Sequence, residues 1–236
     1  MPSYRPSIPF SDFFGSVGGK TYYHWKGRLY YKRKARPSFP GTPAQIEQLD
    51  VHRRAIAAWQ SLDPEVQAAW YSVAPGMPSK QPPFERRAHI TGYNLFVSAY
   101  HGFATLGNEH VPAPLPCEPF PDFFVDLESV EVEQGSDLRF RFFFSIGAGF
   151  DGSRYRLLMK LQLCPAGRGK KPGLMRNFLA ESACPESDGS VEFVVSDFRS
   201  VWNLELQAFT AHCKFVLLDT VSGYRGRYDE KSFRLF

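Results

Sequence analysis

Between Lys20 and Arg36 the chain carries seven Lys or Arg and no acid, interleaved with Tyr22, Tyr23, Trp25, Tyr30 and Tyr31. Cations at that density neutralise anions, and flat rings beside them stack on bases or fill pockets of a partner protein. This is the chemistry of binding. Two aromatic runs, residues 21–25 and 28–32, flank Lys26-Gly27. Such runs, separated by two residues of which the second is glycine, predict a β-hairpin. That turn sets Trp25 opposite Arg28, Tyr23 opposite Tyr30 and Thr21 opposite Lys32 on one face. His24 then faces Leu29, and Tyr22 faces Tyr31, on the other. The candidate contact residues for an assembly partner or an anionic one are Phe10, Phe13, Phe14, Lys20, Tyr22, Tyr23, Trp25, Lys26, Arg28, Tyr30, Tyr31, Lys32, Arg33, Lys34 and Arg36.

Residue types that run hydrolysis or phosphoryl transfer are present, but not in working patterns. None of the six histidines (His24, His52, His89, His101, His110, His212) sits in HExxH or beside a GxSxG elbow. Residues 14–21, FGSVGGKT, place Gly15 and Gly19 four apart, where a phosphate loop, GxxxxGK[ST], needs five. The acid pairs Asp122 with Asp126 and Glu128 with Glu131 read as solvated strand edges. Cys117, Cys164, Cys184 and Cys213 form no CxxC pair, which argues against zinc. They read mostly as buried free thiols, with a Cys164–Cys184 bridge left open. Neither an enzyme nor a cofactor is expected.

The elements that must position the hairpin follow from the chain in order. Residues 1–19 hold three prolines, three glycines and Phe10, Phe13 and Phe14. They cannot form a long helix, and they are too aromatic for a solvated linker, so they read as an extended arm lying on another surface. After a stiff connector at 37–41, Thr42-Pro43-Ala44-Gln45 opens a helix, with Thr42 as N-cap and Gln45 completing a capping box. Its apolar positions are Ile46, Leu49, Ile56, Trp59 and Leu62. Asp63 caps a second helix with Val66, Ala69, Trp70 and Val73 as its stripe, ended by Pro75-Gly76. A third helix runs from about Thr91 to Leu106, with Gly107 suited to its C-terminus. Five prolines within residues 111–121 read as a stiff linker and a domain boundary.

Beyond the linker the period changes from 3.6 to 2. Residues 123–132, 138–146, 155–164, 191–196, 201–210, 212–218 and 232–236 read as strands, with a long basic rim loop at 165–183. Seven strands at about ten-residue spacing predict an antiparallel β-sandwich, Ig-like or jelly-roll-like. The fold class is α+β: an arm at 1–19, a hairpin and three-helix attachment domain at 20–110, a linker at 111–121 and a β-sandwich at 122–236.

The chain has 236 residues, 43% hydrophobic, 16% aromatic and of net charge +4. Residues 1–116 carry 13 Lys or Arg against 7 acids, and residues 117–236 carry 15 against 17. The basic character belongs to the first half, which fits an anionic partner. The N-terminus lacks a charged start followed by an apolar run, and no stretch approaches 18 apolar residues. Neither a signal peptide nor a membrane span is expected, and synthesis in a cytoplasm is.

Two resemblances add to this. Trp59-Gln60-Ser61-Leu62-Asp63-Pro64-Glu65, with Trp70 to Ala74, resembles the WxxLxPEE…YxxxA stretch of HMG-box DNA-bending domains. Gly92-Tyr93-Asn94-Leu95-Phe96-Val97 is similar to the SAYNLFV that opens the same box, here in reversed order. This resemblance implies a minor-groove role. Residues 15–105 resemble a family of uncharacterised bacterial and phage-encoded proteins. The match is carried by Gly15 to Gly19, Trp25-Lys26-Gly27, Lys32 to Pro37, Thr42 to Gln45, Trp59 to Ala74 and Gly92 to Val97. It implies a virion or virion-associated component and transfers no catalytic residue. The expected function is therefore a structural component of a phage particle, capsid- or tail-associated, located in the virion. Its partners would be other virion proteins in a symmetric homo- or hetero-oligomeric assembly. Two alternatives are an architectural nucleic-acid binder and a host-surface or glycan-binding sandwich with Trp202 and the 165–183 loop as its site.

Overall fold

The computed structural model describes residues 15–25, 28–34, 41, 43–77, 90–108, 110–132, 137–202 and 209–235. The chain divides into two compact units, Met1–Ile46 and Glu47–Phe236. The sequence suggests a division at the proline-rich 111–121 stretch instead, and the packing of that stretch explains the difference below.

In the smaller unit, β1 (Gly15–Val17), β2 (Lys20–Trp25) and β3 (Arg28–Arg33) form an antiparallel sheet in that order. β2 and β3 pair in the expected register: Trp25 with Arg28, Tyr23 with Tyr30, Thr21 with Lys32, His24 with Leu29 and Tyr22 with Tyr31. β1 was not foreseen, since residues 1–19 read as arm. Gly18 and Gly19, with φ of 56° and 76°, make the two-residue turn that a tight hairpin needs and that residues with a Cβ rarely adopt. They set Ser16 opposite Thr21, and the two hydroxyls lie 2.9 Å apart.

In the larger unit three helices precede two sheets. α1 (Pro43–Ser61) begins before the division and continues past it; α2 (Pro64–Val73) and α3 (Gly92–Thr105) follow. Pro64 opens α2 behind Asp63, whose extended backbone ends α1 although its side chain makes no capping bond. The Gln67 amide closes the corner by donating to the Trp59 carbonyl at 2.9 Å. Thr91 caps α3 through its hydroxyl, which accepts from the Asn94 N–H at 3.3 Å. Gly107, at φ 77°, ends that helix as expected. On α1 the expected Trp59 and Leu62 pack against the helical core, Val51 and Ala55 are buried although the stripe read in the sequence omits them, and Ile46 is exposed. Trp70, Ala74, Leu95, Phe96 and Ala99 form the helical core.

The sandwich has strands β4 (Phe123–Val132), β5 (Leu138–Ile146), β6 (Tyr155–Pro165), β7 (Arg176–Leu179) and β8 (Gly189–Val195), then a short helix, α4 (Phe198–Trp202), and β9 (Phe209–Asp219) and β10 (Asp229–Leu235). Its sheets run β10-β9-β6-β7 and β4-β5-β8, all neighbours antiparallel. Alternation sends Leu138, Phe140, Phe142 and Phe144 of β5 inward against Leu157, Met159 and Leu161 of β6 and Phe209, Ala211, Cys213, Phe215 and Leu217 of β9. The Lys231 ammonium on the Val125 carbonyl joins β10 to β4. The Glu181 N–H donates to the Glu192 carbonyl at 3.1 Å and joins the other pair of edges. Two expectations are corrected. Residues 198–202 are helical, so Val201 and Trp202 do not belong to the strand read over 201–210; residues 203–208 lie outside the described residues, and Phe209 and Thr210 belong to β9. The 165–183 insertion carries its own strand, β7, paired with β6.

The 111–121 stretch is not a free linker. Pro112 and Pro121 are buried. The Leu115 carbonyl accepts from the Tyr224 hydroxyl at 2.8 Å. Phe120 packs against both the helical and the sandwich cores. Proline's missing N–H favours an extended path, and here that path is a packed one.

The connection from β9 to β10 bolts the helices to the sandwich. Tyr224 enters the helical core beside Trp70. The backbones touch at Gly102 of α3 and Gly223: a Cβ on Gly102 would stand 2.0 Å from the Gly223 carbonyl oxygen.

Candidate functional site

The sheet β1-β2-β3 bears the predicted contact residues. Thr21, Tyr23, Tyr30, Arg28 and Lys32 share one face, by strand alternation and the register. On it the Tyr23 and Tyr30 rings lie 6.1 Å apart and 25° from parallel. Arg28 and Lys32 are exposed on either side of the pair along β3. The Lys32 ammonium lies 5.7 Å from the Tyr23 ring centroid. The opposite face carries Lys20, Tyr22, Tyr31, Arg33, His24 and Leu29. There the Tyr22 and Tyr31 rings are 6.0 Å apart and tilted by 46°, with the Lys20 ammonium 4.7 Å above Tyr31. Leu29 is buried, so this second face is partly covered, and the tyrosines of both faces are half-buried.

Lys20, Arg28, Lys32, Arg33 and Lys34 are exposed, and Tyr22, Tyr23, Tyr30 and Tyr31 are half-buried. Lys34 continues past β3, its N–H donating to the Gly19 carbonyl at 2.7 Å. Trp25 ends β2. Phe10, Phe13, Phe14, Lys26 and Arg36 lie outside the described residues, as do the Thr42 cap and residues 203–208 of the expected strand at 201–210. The division of the chain sharpens the charge asymmetry. Residues 1–46 hold eight Lys or Arg against the single acid Asp12, a net of +7, and residues 47–236 hold 20 against 23, a net of −3. The ion pairs among the described residues all lie in the larger unit.

That unit carries two partly buried polar clusters that motif reading missed. At the β9–β10 turn the Arg154 guanidinium donates to both Asp219 oxygens, at 3.2 and 2.7 Å, and to Glu118 at 2.6 Å. Asp219 also accepts from the Val221 N–H at 2.9 Å and the Ser222 hydroxyl at 2.8 Å. Burial alone would raise the Asp219 carboxyl, but Arg154, Val221 and Ser222 outweigh it and hold it below its ordinary value. The run Asp219-Thr220-Val221-Ser222-Gly223 carries a turn signature that could have pointed to this loop.

The second cluster joins α1, α3 and the same loop. His52 Nδ1 and His101 Nε2 are 3.4 Å apart, with ring centroids 5.6 Å apart. The Arg225 guanidinium donates to the His101 carbonyl at 3.0 Å and to the Thr105 hydroxyl at 2.9 Å. Burial first, then His52 and Arg225, lower the His101 pKa. The unfolded chain therefore takes up this proton more readily than the folded one. The stabilising share of neutral His101 is fully present above its ordinary value of 6.5 and is lost as pH falls through it toward the lower folded value. Thermal unfolding midpoints measured from about pH 7.5 to 5.5, across the histidine range, should fall more steeply for the native chain than for His101→Asn. Parallel curves would refute a buried neutral His101.

Among the described residues no three His, Cys, Asp or Glu side chains gather as a metal site. The four cysteines are free, and burial raises their thiols, Cys184 to about 12, so none is poised as a thiolate. The Trp202 indole donates to the Leu174 carbonyl at 3.1 Å and packs on Phe178, so it pins the rim loop. A cleft of about 800 Å³ sets Arg225 and Arg227 against Asp122 and Asp229 over Phe120 and Leu217, a mixture that selects no sign of ligand. No described helix is long and apolar enough to cross a membrane. Compared with known proteins, the chain matches no protein-family model and no curated protein sequence.

Proposed function

We propose that this chain is a non-enzymatic structural component of a phage particle, capsid- or tail-associated, that docks on other virion proteins through its N-terminal arm and basic aromatic ribbon. The observation that carries the docking role is the separation of a small cationic unit from a large, self-contained one. The larger unit has two apolar cores of its own. The described part of the smaller unit buries a single apolar side chain, Leu29. A small sheet whose described part buries so little is marginal in water and gains order by lying on a partner. Tyrosine and arginine, which crowd this sheet, are the residues that most often dominate protein interfaces. The phage setting rests on the resemblance of residues 15–105 to bacterial and phage-encoded proteins.

Deleting residues 1–36 tests the reading. The shortened chain should keep the thermal midpoint and near-ultraviolet circular dichroism of the larger unit but fail to enter particles when co-expressed with its neighbouring virion proteins. Normal incorporation of the shortened chain would overturn the docking role.

A further inference from the structure

We infer that the ribbon of one copy docks on the acidic outer face of β4 in a second copy, so that the chain associates with itself head to tail. This rests on the ribbon being the chain's docking element, and it names the surface on which the ribbon lands.

The chain carries two poles of opposite sign. Residues 20–36 hold seven Lys or Arg and no acid, and residues 118–137 hold seven Asp or Glu and no Lys or Arg. Both poles are built on strands. β4 turns Val125, Leu127 and Val130 toward the sandwich core. Asp126, Glu128 and Glu131 of the same strand are exposed. Asp126 accepts from the Leu127 N–H at 3.0 Å, and Glu128 accepts from the Ser190 hydroxyl at 2.8 Å. Among the described residues none of the three carboxylates is in an ion pair, because the nearby cations are committed elsewhere. Arg139 and Arg141 of β5 are held by Glu192, at 2.9 and 2.7 Å, and Arg139 also meets Glu181 at 3.3 Å. Lys231 stands over the Phe124 ring, 4.0 Å from its centroid, at the start of β4. On the ribbon, Lys20, Arg28, Lys32, Arg33 and Lys34 are exposed. They too have no carboxylate partner among the described residues, whose ion pairs lie in the larger unit.

The two rows of charge match in reach. At about 3.4 Å per residue, β3 (Arg28–Arg33) and residues 126–131 of β4 each span about 17 Å. The contact uses the exposed ends of the cations and needs no access to the half-buried tyrosine rings. A second copy is the occupant because every chain supplies both poles, in equal number. Single exposed ion pairs contribute little, so several must form together, and the contact must weaken with salt. Ribbon on β4 is a heterologous contact, which leaves one pole free at each end. It therefore repeats from copy to copy until it closes a ring or grows a filament.

The test is light scattering on the full chain over about a hundredfold range of protein concentration, at about 0.1 M and about 1 M salt. At the lower salt the mass should rise with concentration above the 26.8 kDa of one chain, and at the higher salt it should fall back. Two charge reversals follow: Lys32→Glu with Lys34→Glu on the ribbon, and Glu128→Lys with Glu131→Lys on β4. Each should weaken association about tenfold or more when tested alone. An equimolar mixture of the two should associate again, since every ribbon then faces a strand of opposite sign, and that recovery also shows that both variants fold. The neutral pairs Lys32→Gln with Lys34→Gln and Glu128→Gln with Glu131→Gln should each weaken association less than the reversals.

A native chain that stays monomeric at low salt and every concentration, association indifferent to salt, or association indifferent to both the reversed and the neutral pairs would each overturn the inference. A mixture that stays dissociated would do the same. If the native chain is monomeric while the chain lacking residues 1–36 still fails to enter particles, the ribbon docks on a different virion protein and only the self-association falls. If the native chain associates as described while that shortened chain enters particles normally, the docking role in the particle falls instead.

Discussion

Replacing Gly102 by alanine should destabilise the Glu47–Phe236 unit by about 3 kcal/mol or more, although alanine is the better helix former. In an exposed helix interior the exchange would stabilise by about 1 kcal/mol. Here the new methyl would meet the Gly223 carbonyl oxygen at 2.0 Å and its carbon at 2.8 Å. Both are backbone atoms and cannot turn aside as a side chain would. Overpacking a tight contact costs about 1–3 kcal/mol, and a clash with main chain belongs at or above the top of that range. Gly223 cannot yield locally either. Its φ of 70° suits glycine, and a Cβ there would itself meet the Ala99 carbonyl at 2.5 Å. The strain should be relieved by lifting α3 off the β9–β10 turn. Urea unfolding would then show a lower midpoint, and Trp70, which is fully buried beside Tyr224, should report it by fluorescence. A midpoint equal to or above that of the native chain would mean that the two backbones are not in contact.

Asp219→Ala is the second large effect, expected at about 2–4 kcal/mol. The carboxylate is 6% exposed and holds Arg154, the Val221 N–H and the Ser222 hydroxyl together. Removing it strands a guanidinium that is only 29% exposed, with Glu118 as its remaining carboxylate. It also releases the turn that presents Gly223, Tyr224 and Arg225 to the helices. Asp219→Asn keeps an acceptor for Val221 but turns either a donor or a neutral oxygen toward Arg154, so its loss should be smaller. The pH dependence separates charge from shape. The Asp219 pKa is depressed on folding, so its stabilisation is present above the ordinary aspartate value and disappears as pH falls through the lower folded value. The difference between the native chain and Asp219→Ala, measured by denaturant unfolding, should therefore shrink on acidification below about pH 4. A difference that stays constant there would show that folding does not depress the Asp219 pKa.

Much of this architecture is legible because local chemistry determines it. Tyr22-Tyr23 opposite Tyr30-Tyr31 about a Lys-Gly turn leaves one sensible register, and that register is found. Pro64 and Gly107 mark helix ends because each has a backbone preference that acts over a few residues. β5 reads cleanly because Leu138, Phe140, Phe142 and Phe144 alternate with Arg139 and Arg141. What escaped reading depends on distant partners. Gly18-Gly19 looks like a loose arm until β1 has β2 to pair with. Residues 198–202 look like strand because Val201 and Trp202 favour extended backbone, yet Phe198 is buried from a short helix that packs on the sandwich core. The prolines of 111–121 signal an extended chain, but nothing in them says whether that chain crosses solvent or lies on Tyr224 and Phe120. Of the candidate site, the cations and tyrosines were evident from composition and spacing. The difference between the two faces of the ribbon was not, because it arises from the burial of Leu29 and the tilt of the rings.

The bolt between Gly102 and Gly223 also orders events during synthesis. The helical core needs Tyr224, and the α1–α3 histidine pair is tied to Arg225, which lies 124 residues after His101. A chain leaving the ribosome can wind its helices early, yet it cannot close their core until the turn after β9 has emerged. For most of translation the strongly cationic segment is exposed ahead of a body that is still open. Contacts of such long sequence separation are slow to form and favour collapse late rather than piece by piece. Any partner that captured the ribbon early would therefore meet a nascent chain whose helical core is still open.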